Sequence, residues 1–489
     1  MLSQTLAPAS PPATKPTGHR KWDVASWWFS DKDSTEDRRI ITKLDLLIVP
    51  FSVLSCWTKY IDMANLNNAY VSGLKDDLGF HGSELVNLQT IYYVGALAGQ
   101  LPFLFIFPLV RMHLLVPTLD VAWGVFTLLQ YRSHSFAELA AYRFLIGCFE
   151  GSYLPAMNFI FGSWYRRNEI ARRGGIFSLG NSFGTLTASV IQAGASARLD
   201  RVHGLAGWRW AYIVCALVTI PIGIVGYFLL PGTPDKPNLL FLSQDEVDSY
   251  KRRLESAGHA TSSEKVTWRT FKRLGGSAQF WILVLLNVLF WNAALNAKSG
   301  GYLLWLKSLG RYSTAETNAL GTIVPAVGIF YILFIGFLSD LLTGPAWAIT
   351  ISHLWNISGL IIQVIWVLPE AALWFAFITT YSSVAMASVL NGWVNNQMRA
   401  SHAERSLTLV FVNVVAQSSI LLTLPLVFPT TEAPRFTKGY SFVLGAAISL
   451  VLSSLFLHVW LKRQPNQPNT HDSLSRNTGE VNGMLETGR

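Results

Sequence analysis

The sequence predicts an all-α membrane protein with twelve transmembrane helices in two six-helix halves. Only 14% of its 489 residues are charged and 51% are hydrophobic, whereas about a quarter of a soluble domain is charged. The charges gather at the two ends, in one central stretch and in short connectors, leaving apolar blocks of about 20 residues or more, the length that crosses a roughly 30 Å hydrocarbon core. Backbone groups in lipid must be bonded within the chain, so these blocks are expected to be helices.

The predicted spans are 45–67, 84–109, 113–131, 136–158, 174–197, 209–231, 279–305, 317–339, 345–366, 371–393, 407–428 and 440–462. They divide the chain into an N-terminal tail (1–43), a first six-helix half (44–231), a central loop (232–278), a second six-helix half (279–463) and a disordered tail (464–489). No secretory signal precedes the first block, so the first span is expected to serve as its own insertion signal. In the central loop, Ser243-x-x-Glu246 ahead of amphipathic Val247–Leu254 predicts a capped surface helix.

An even number of spans puts both termini on one side. The cluster Arg166, Arg167, Arg172 and Arg173, with the basic central loop, assigns that side to the cytosol. Arg198, Arg201 and Arg209 fall on the other side, against the rule. The net charge of +9 forms no aromatic-laced stripe of the kind that binds nucleic acid. The bilayer is the expected partner, and nucleic acid is not.

Cys56, Cys148 and Cys215 all lie inside apolar blocks and read as small packing residues. Gly147, Gly151 and the Gly180-x-x-x-Gly184 pair suit close helix packing. There is no Walker loop, no dinucleotide fingerprint and no His/Cys group with metal spacing. No enzyme activity, cofactor or metal is expected, and ATP is not the energy source within this chain.

Ionisable groups at bilayer depth cost about 2.5–3.5 kcal/mol each on insertion scales and so point to a functional site. Lys59 and Asp62 are three apart on one face of the first span, where they could form a local ion pair. Arg143 and Glu150 are seven apart, two turns along one face of the fourth. As a site, the cations Arg143 and Lys59 would take a carboxylate substrate and the acids Glu150 and Asp62 would take protons. As structure, all four would brace helices. Lys298, near the end of the seventh span, is a further substrate-binding candidate that could instead snorkel to the interface. Asn65, Asn67 and Asn68 either line a vestibule or end the first helix.

Six spans, a polar connector and six more resemble the major facilitator superfamily, and Gly336-Phe-Leu-Ser339-Asp340 resembles its loop signature. The corresponding first-half segment, Phe103–Met112, keeps only Arg111. The chain is similar to the fungal allantoate permease, or anion:cation symporter, family, and within it to the pantothenate transporters of yeasts. The resemblance is carried by Lys59-Tyr-Ile-Asp62-Met-Ala-Asn65-Leu-Asn67-Asn68-Ala-Tyr70-Val-Ser-Gly73-Leu-Lys75-Asp76-Asp77-Leu, by Gly207-Trp208-Arg209-Trp210, by Gly301-Tyr-Leu-Leu-Trp305-Leu-Lys307-Ser308 and by Phe428-Pro-Thr-Thr-Glu432-Ala-Pro434-Arg435.

That resemblance implies the major facilitator fold and proton-coupled import of a small organic anion across the plasma membrane, by alternating access and as a monomer. It makes Glu150 the proton carrier and Asp62 a second acidic partner. Many relatives place arginine after that aspartate where this chain has Met63, so Lys59 would have to supply the cation. Export of a fungal secondary metabolite and non-transporting nutrient sensing are the alternatives. Against export, Gly175–Gly194 in the fifth span lacks the proline of drug/proton antiporters.

Overall fold

The computed structural model describes residues 28–29, 33–107, 109–256, 268–339, 344–397 and 402–463. Most of the predicted N-terminal tail, part of the central loop, the C-terminal tail and Asp340 of the loop signature lie outside the described residues.

Twelve helical spans are present among the described residues. The first six are Thr35–Ala69, Glu84–Ile106, Met112–Leu129, a fourth in two pieces (Phe136–Glu150 and Tyr153–Trp164), Arg167–Arg198 and Gly207–Leu229. The seventh is in three pieces, Ala278–Ala293, Leu295–Lys298 and Gly301–Ser308, and the eighth in two, Thr314–Leu320 and Ile323–Leu338. Then follow Pro345–Ile365, a tenth broken between Glu370–Thr379 and Ala387–Gln397, His402–Val427 and Thr437–Arg463. Eight of these spans are long and apolar enough to cross a membrane by length and composition alone.

Several boundaries differ from the sequence reading for identifiable reasons. The first helix runs on past its asparagines through a π turn, Tyr70–Leu74, to Asp77, so Asn65, Asn67 and Asn68 do not end it. The fifth helix starts at Arg167, so the basic connector is itself helical. The seventh span, read as one helix, breaks because local side chains compete for its backbone. Asn296 Oδ1 accepts from the Ala297 amide at 3.1 Å, and Ser299 Oγ accepts from the Gly301 amide at 3.2 Å. Gly300 then takes φ +73°, which glycine adopts without penalty.

The second and fourth spans meet at a seam of four glycines. A Cβ on Gly95 or Gly99 would lie 2.1 or 2.0 Å from the carbonyl oxygens of Phe144 or Cys148. On Gly147 or Gly151 it would lie 2.2 or 2.6 Å from those of Tyr92 or Ala96. Only glycine lets these backbones approach so closely. Gly180 and Gly184 pack in the same way on Val53–Ile61 of the first span. All three cysteines are free thiols, Cys56 and Cys215 buried and Cys148 half-buried.

At the end of the bundle that holds the termini, the expected surface helix forms over Gln244–Ser256. Ser243 and Glu246 make the reciprocal cap, at 3.2 and 2.8 Å. Val247, Tyr250 and Leu254 are buried against the bundle. Arg253 donates to Asp33 at 2.9 Å and to Glu169 at 2.5 Å, and Arg166 reaches Asp33 at 2.8 Å. This helix, the segment before the first span and the fourth connector are thereby tied together. Lys43 donates to Glu246 at 2.8 Å and, with the Ser243 cap, holds its carboxyl below the usual range.

At the opposite end, Arg209 breaks the charge rule because its guanidinium is used locally. It donates to the carbonyls of Tyr131 at 2.6 Å and Ser133 at 3.0 Å and lies 3.8 Å from Asp77. Hydrogen bonds between the two halves cluster toward this end. Gln89 Nε2 donates to the Lys298 carbonyl at 3.3 Å, and Asn318 donates to Ser72 at 2.7 Å. The Val86 amide reaches Thr430, and Tyr381 meets Asn181 at 3.4 Å.

Candidate functional site

The first span is the axis of the site. Ser55, Lys59 and Asp62 follow one another at four and three residues and so form a stripe on one helical face. At a rise of about 1.5 Å per residue they occupy roughly 10 Å of helix. All three are buried.

Lys59 is the hub. Its Nζ lies 3.0 Å from Glu150 Oε1 and 3.3 Å from the Glu150 backbone oxygen. Tyr92, from the second span, donates its hydroxyl to the same Oε1 at 2.8 Å. Glu150 sits where the fourth helix breaks, at the glycine seam, and has no solvent exposure. The local pair expected between Lys59 and Asp62 is therefore not formed. Side chains three apart on one helix can meet, but the lysine finds a carboxylate and a phenol on two other spans.

One turn on, Asp62 Oδ2 accepts from Thr127 of the third span at 3.1 Å. Arg143 does not reach Glu150, although both lie on one helical face. It donates to the Asp62 backbone oxygen at 3.4 Å and to the Tyr212 hydroxyl at 3.1 Å, with its guanidinium 5.9 Å from the Tyr212 ring centre. The four residues flagged in the sequence thus form two cross-span contacts: Lys59 with Glu150, and Arg143 with the Asp62 backbone.

Lys298 comes from the broken part of the seventh span. Its ammonium lies over the faces of Trp291 at 4.1 Å and Tyr93 at 5.6 Å, a cation–π arrangement. Among the described residues no carboxylate pairs with it. Asn67 and Asn68 bond across spans, Asn68 Oδ1 accepting from Ser189 at 3.2 Å. Asn65 is fully buried, and neither of its amide atoms has a partner among the described residues.

Sequence reasoning missed the aromatic hydroxyls and one acid. Tyr92, Tyr93 and Tyr212 carry no signal that separates them from interface anchors. Asp120 did carry one: it stands alone in Leu119-Asp120-Val121, deep in an apolar block, and the rule that found Asp62 applies equally to it. Asp120 Oδ2 lies 2.6 Å from Ser55 Oγ. Among the described residues no group of three His, Cys, Asp or Glu could hold a metal ion.

A core of buried, cross-paired charges inside one helical half suits a carrier. The profile of the Major Facilitator Superfamily matches residues 53–424. The chain belongs to that superfamily. It is 35% identical to the vitamin H transporter of Saccharomyces cerevisiae, over 88% of this chain and 74% of that one. It is 28% identical to a pantothenate transporter of Schizosaccharomyces pombe, over 82% and 78% of the two chains. The fold is also that of a bacterial proton:xylose symporter bound to 6-bromo-6-deoxy-D-glucose, with a TM-score of 0.65 at 16% identity over 87% of this chain and 96% of that one. The chain is a multi-pass membrane transporter of small molecules, not an enzyme.

Proposed function

We propose that this transporter is a proton-coupled symporter importing a small organic monocarboxylate, pantothenate or the similar acid biotin, across the plasma membrane with both termini in the cytosol. The observation that carries the reading is the buried Lys59–Glu150 contact, 3.0 Å long and bridging two spans. A substrate carboxylate can displace Glu150 from Lys59, and Glu150, left without its cation in a dry site, then takes a proton. Asp62 is the second acid, Arg143 holds its helix turn, and Lys298 offers a second cation from the opposite half. Names of relatives support the substrate class: one carries vitamin H and another pantothenate.

Energetics favour the coupling. Bringing a monoanion into a negative cell is opposed by about 2.3 kcal/mol per 100 mV, and one accompanying proton cancels that term. Alternating access by two rocking halves, acting within a monomer, supplies the movement. With the termini in the cytosol, the inter-half hydrogen bonds at the far end make this an outside-closed arrangement.

The test is complementation of yeast lacking its own pantothenate or biotin uptake, with tritiated vitamin to follow accumulation. Rescue with pH-dependent accumulation is expected from the natural sequence and not from Glu150→Gln. Accumulation against a gradient that stays pH-dependent in Glu150→Gln would rule out Glu150 as the carrier of the proton.

A further inference from the structure

The buried core of the first half holds an odd number of charges. Two cations, Lys59 and Arg143, face three acids, Asp62, Asp120 and Glu150, and all five are at most 6% exposed, while Lys298 of the second half stands apart on the faces of Trp291 and Tyr93. With every group ionised the core carries one excess negative charge in a medium that solvates it poorly, an arrangement that neutralises by taking a proton.

The geometry shows which acid is left over. Glu150 has the ammonium of Lys59 at 3.0 Å and the phenol of Tyr92 at 2.8 Å, a setting for a carboxylate. Asp62 has Arg143 on its own backbone oxygen and a hydroxyl on Oδ2. Asp120 likewise has one hydroxyl partner, Ser55 Oγ at 2.6 Å, and its Oδ1, like Asp62 Oδ1 and Glu150 Oε2, is buried without a hydrogen-bond partner among the described residues; what sets it apart is that no cation there touches its carboxylate or its backbone. The titratable and charged groups facing it are Lys59 from the first span and Glu150 and Tyr153 from the fourth. From the sixth span Gly223 packs against its Cβ. Lys59 is committed to Glu150, and the Tyr153 hydroxyl donates to the Ser52 carbonyl at 2.8 Å.

We propose that Asp120 holds the proton of the core while Lys59 is closed on Glu150, so that the empty core is neutral. This rests on the symport reading above and deepens it by fixing the charge count. A monocarboxylate entering on Lys59 adds one negative charge, and neutrality is restored by one further proton, taken by Glu150. Each turnover then moves one anion and one proton with no net charge, while Asp120 keeps its own proton through the loaded state.

The experiment uses the purified full-length chain in lipid nanodiscs and the infrared carbonyl stretch of protonated carboxyl groups at neutral pH. The band is expected in the natural sequence and lost in Asp120→Asn. Ser55→Ala, which keeps the acid but removes its partner, shifts the band. A spectrum that Asp120→Asn leaves intact, or a band position that Ser55→Ala leaves unmoved, overturns the proposal. In proteoliposomes, uptake of tritiated biotin or pantothenate should follow an imposed pH gradient and ignore a potassium diffusion potential. Uptake driven by that potential overturns the neutral count. If neither gradient drives uptake of either vitamin, the symport reading fails, and the infrared result still decides the site of the proton.

Discussion

The two six-helix halves are built alike and equipped differently. The first carries Lys59, Asp62, Asp120, Arg143 and Glu150 in one buried core. Apart from Lys298 and Lys462, the apolar blocks read from the sequence of the second contain no Asp, Glu, Lys or Arg. Its buried polar groups are neutral: Asn292 bonds Ser419 and Thr423, and Asn356 holds Asn296 and the Ala293 carbonyl. His353 is buried edge-on to Phe290 at 6.2 Å. The difference teaches that the fold needs polar contacts in both halves to hold broken helices, but needs charge in only one. Under the symport reading proposed above, the charge of the first half serves the transported ions.

Substitutions at seven positions test that division. The largest effect is expected from Glu150→Gln, which leaves Lys59 buried without its countercharge. Removing one partner of a buried pair costs about 3–5 kcal/mol, and the loss should appear in thermal unfolding as well as in uptake. Lys59→Met with Glu150→Gln should be less destabilised than the two single changes added together. A strictly additive double mutant would mean the pair is not coupled.

The seams separate the halves further. The N-terminal seam closes on backbone, whereas a Cβ on Gly359 of the ninth span would first meet the Thr379 hydroxyl, a side chain, at 2.5 Å. Gly147→Ala should therefore cost about 1–3 kcal/mol as an overpacked contact, and Gly359→Ala less, because Thr379 can turn. Equal losses in the two proteins' melting curves would erase this distinction.

Lys298→Met asks whether the lysine of the broken seventh span binds substrate. A KM raised about tenfold, on the order of 1.4 kcal/mol, with little change in kcat, is expected in uptake kinetics; an unchanged KM would assign Lys298 to packing on Trp291. Asn356→Ala should cost about 1 kcal/mol, the net worth of a hydrogen bond, and leave the pH dependence of uptake unaltered. A flattened pH profile there would place coupling in both halves. The smallest effect is expected at the surface. Glu246 has its carboxyl lowered by Lys43, so its contribution is present above the ordinary carboxylate range and lost as pH falls through the lowered value. Limited proteolysis of the linker should speed up only in that acidic window, and Glu246→Gln should abolish the pH step.

Much of this was legible along the chain. Apolar block length and the shortage of charge gave twelve spans, and the cost of ionised groups in lipid singled out Lys59, Asp62, Arg143 and Glu150. Periodicity reports which residues share a face of their own helix, and here it suggested a Lys59–Asp62 pairing that did not form. Lys59 turns to Glu150 on another span, and Arg143 to the Asp62 backbone. The break in the seventh span was hidden because Asn296, Ser299 and Gly300 read as ordinary polar punctuation until their backbone bonds are seen.

By itself the sequence determined the membrane class, the helix count and the identity of the buried charges, because transfer into hydrocarbon acts on each residue independently of its neighbours. Only the tertiary structure decided who pairs with whom, since a buried charge selects its partner from whatever helix packing brings within about 3 Å. It also left the carboxylates of Asp62 and Asp120 on hydroxyls alone, because the first span gives its lysine to Glu150 and Arg143 reaches only the backbone of Asp62.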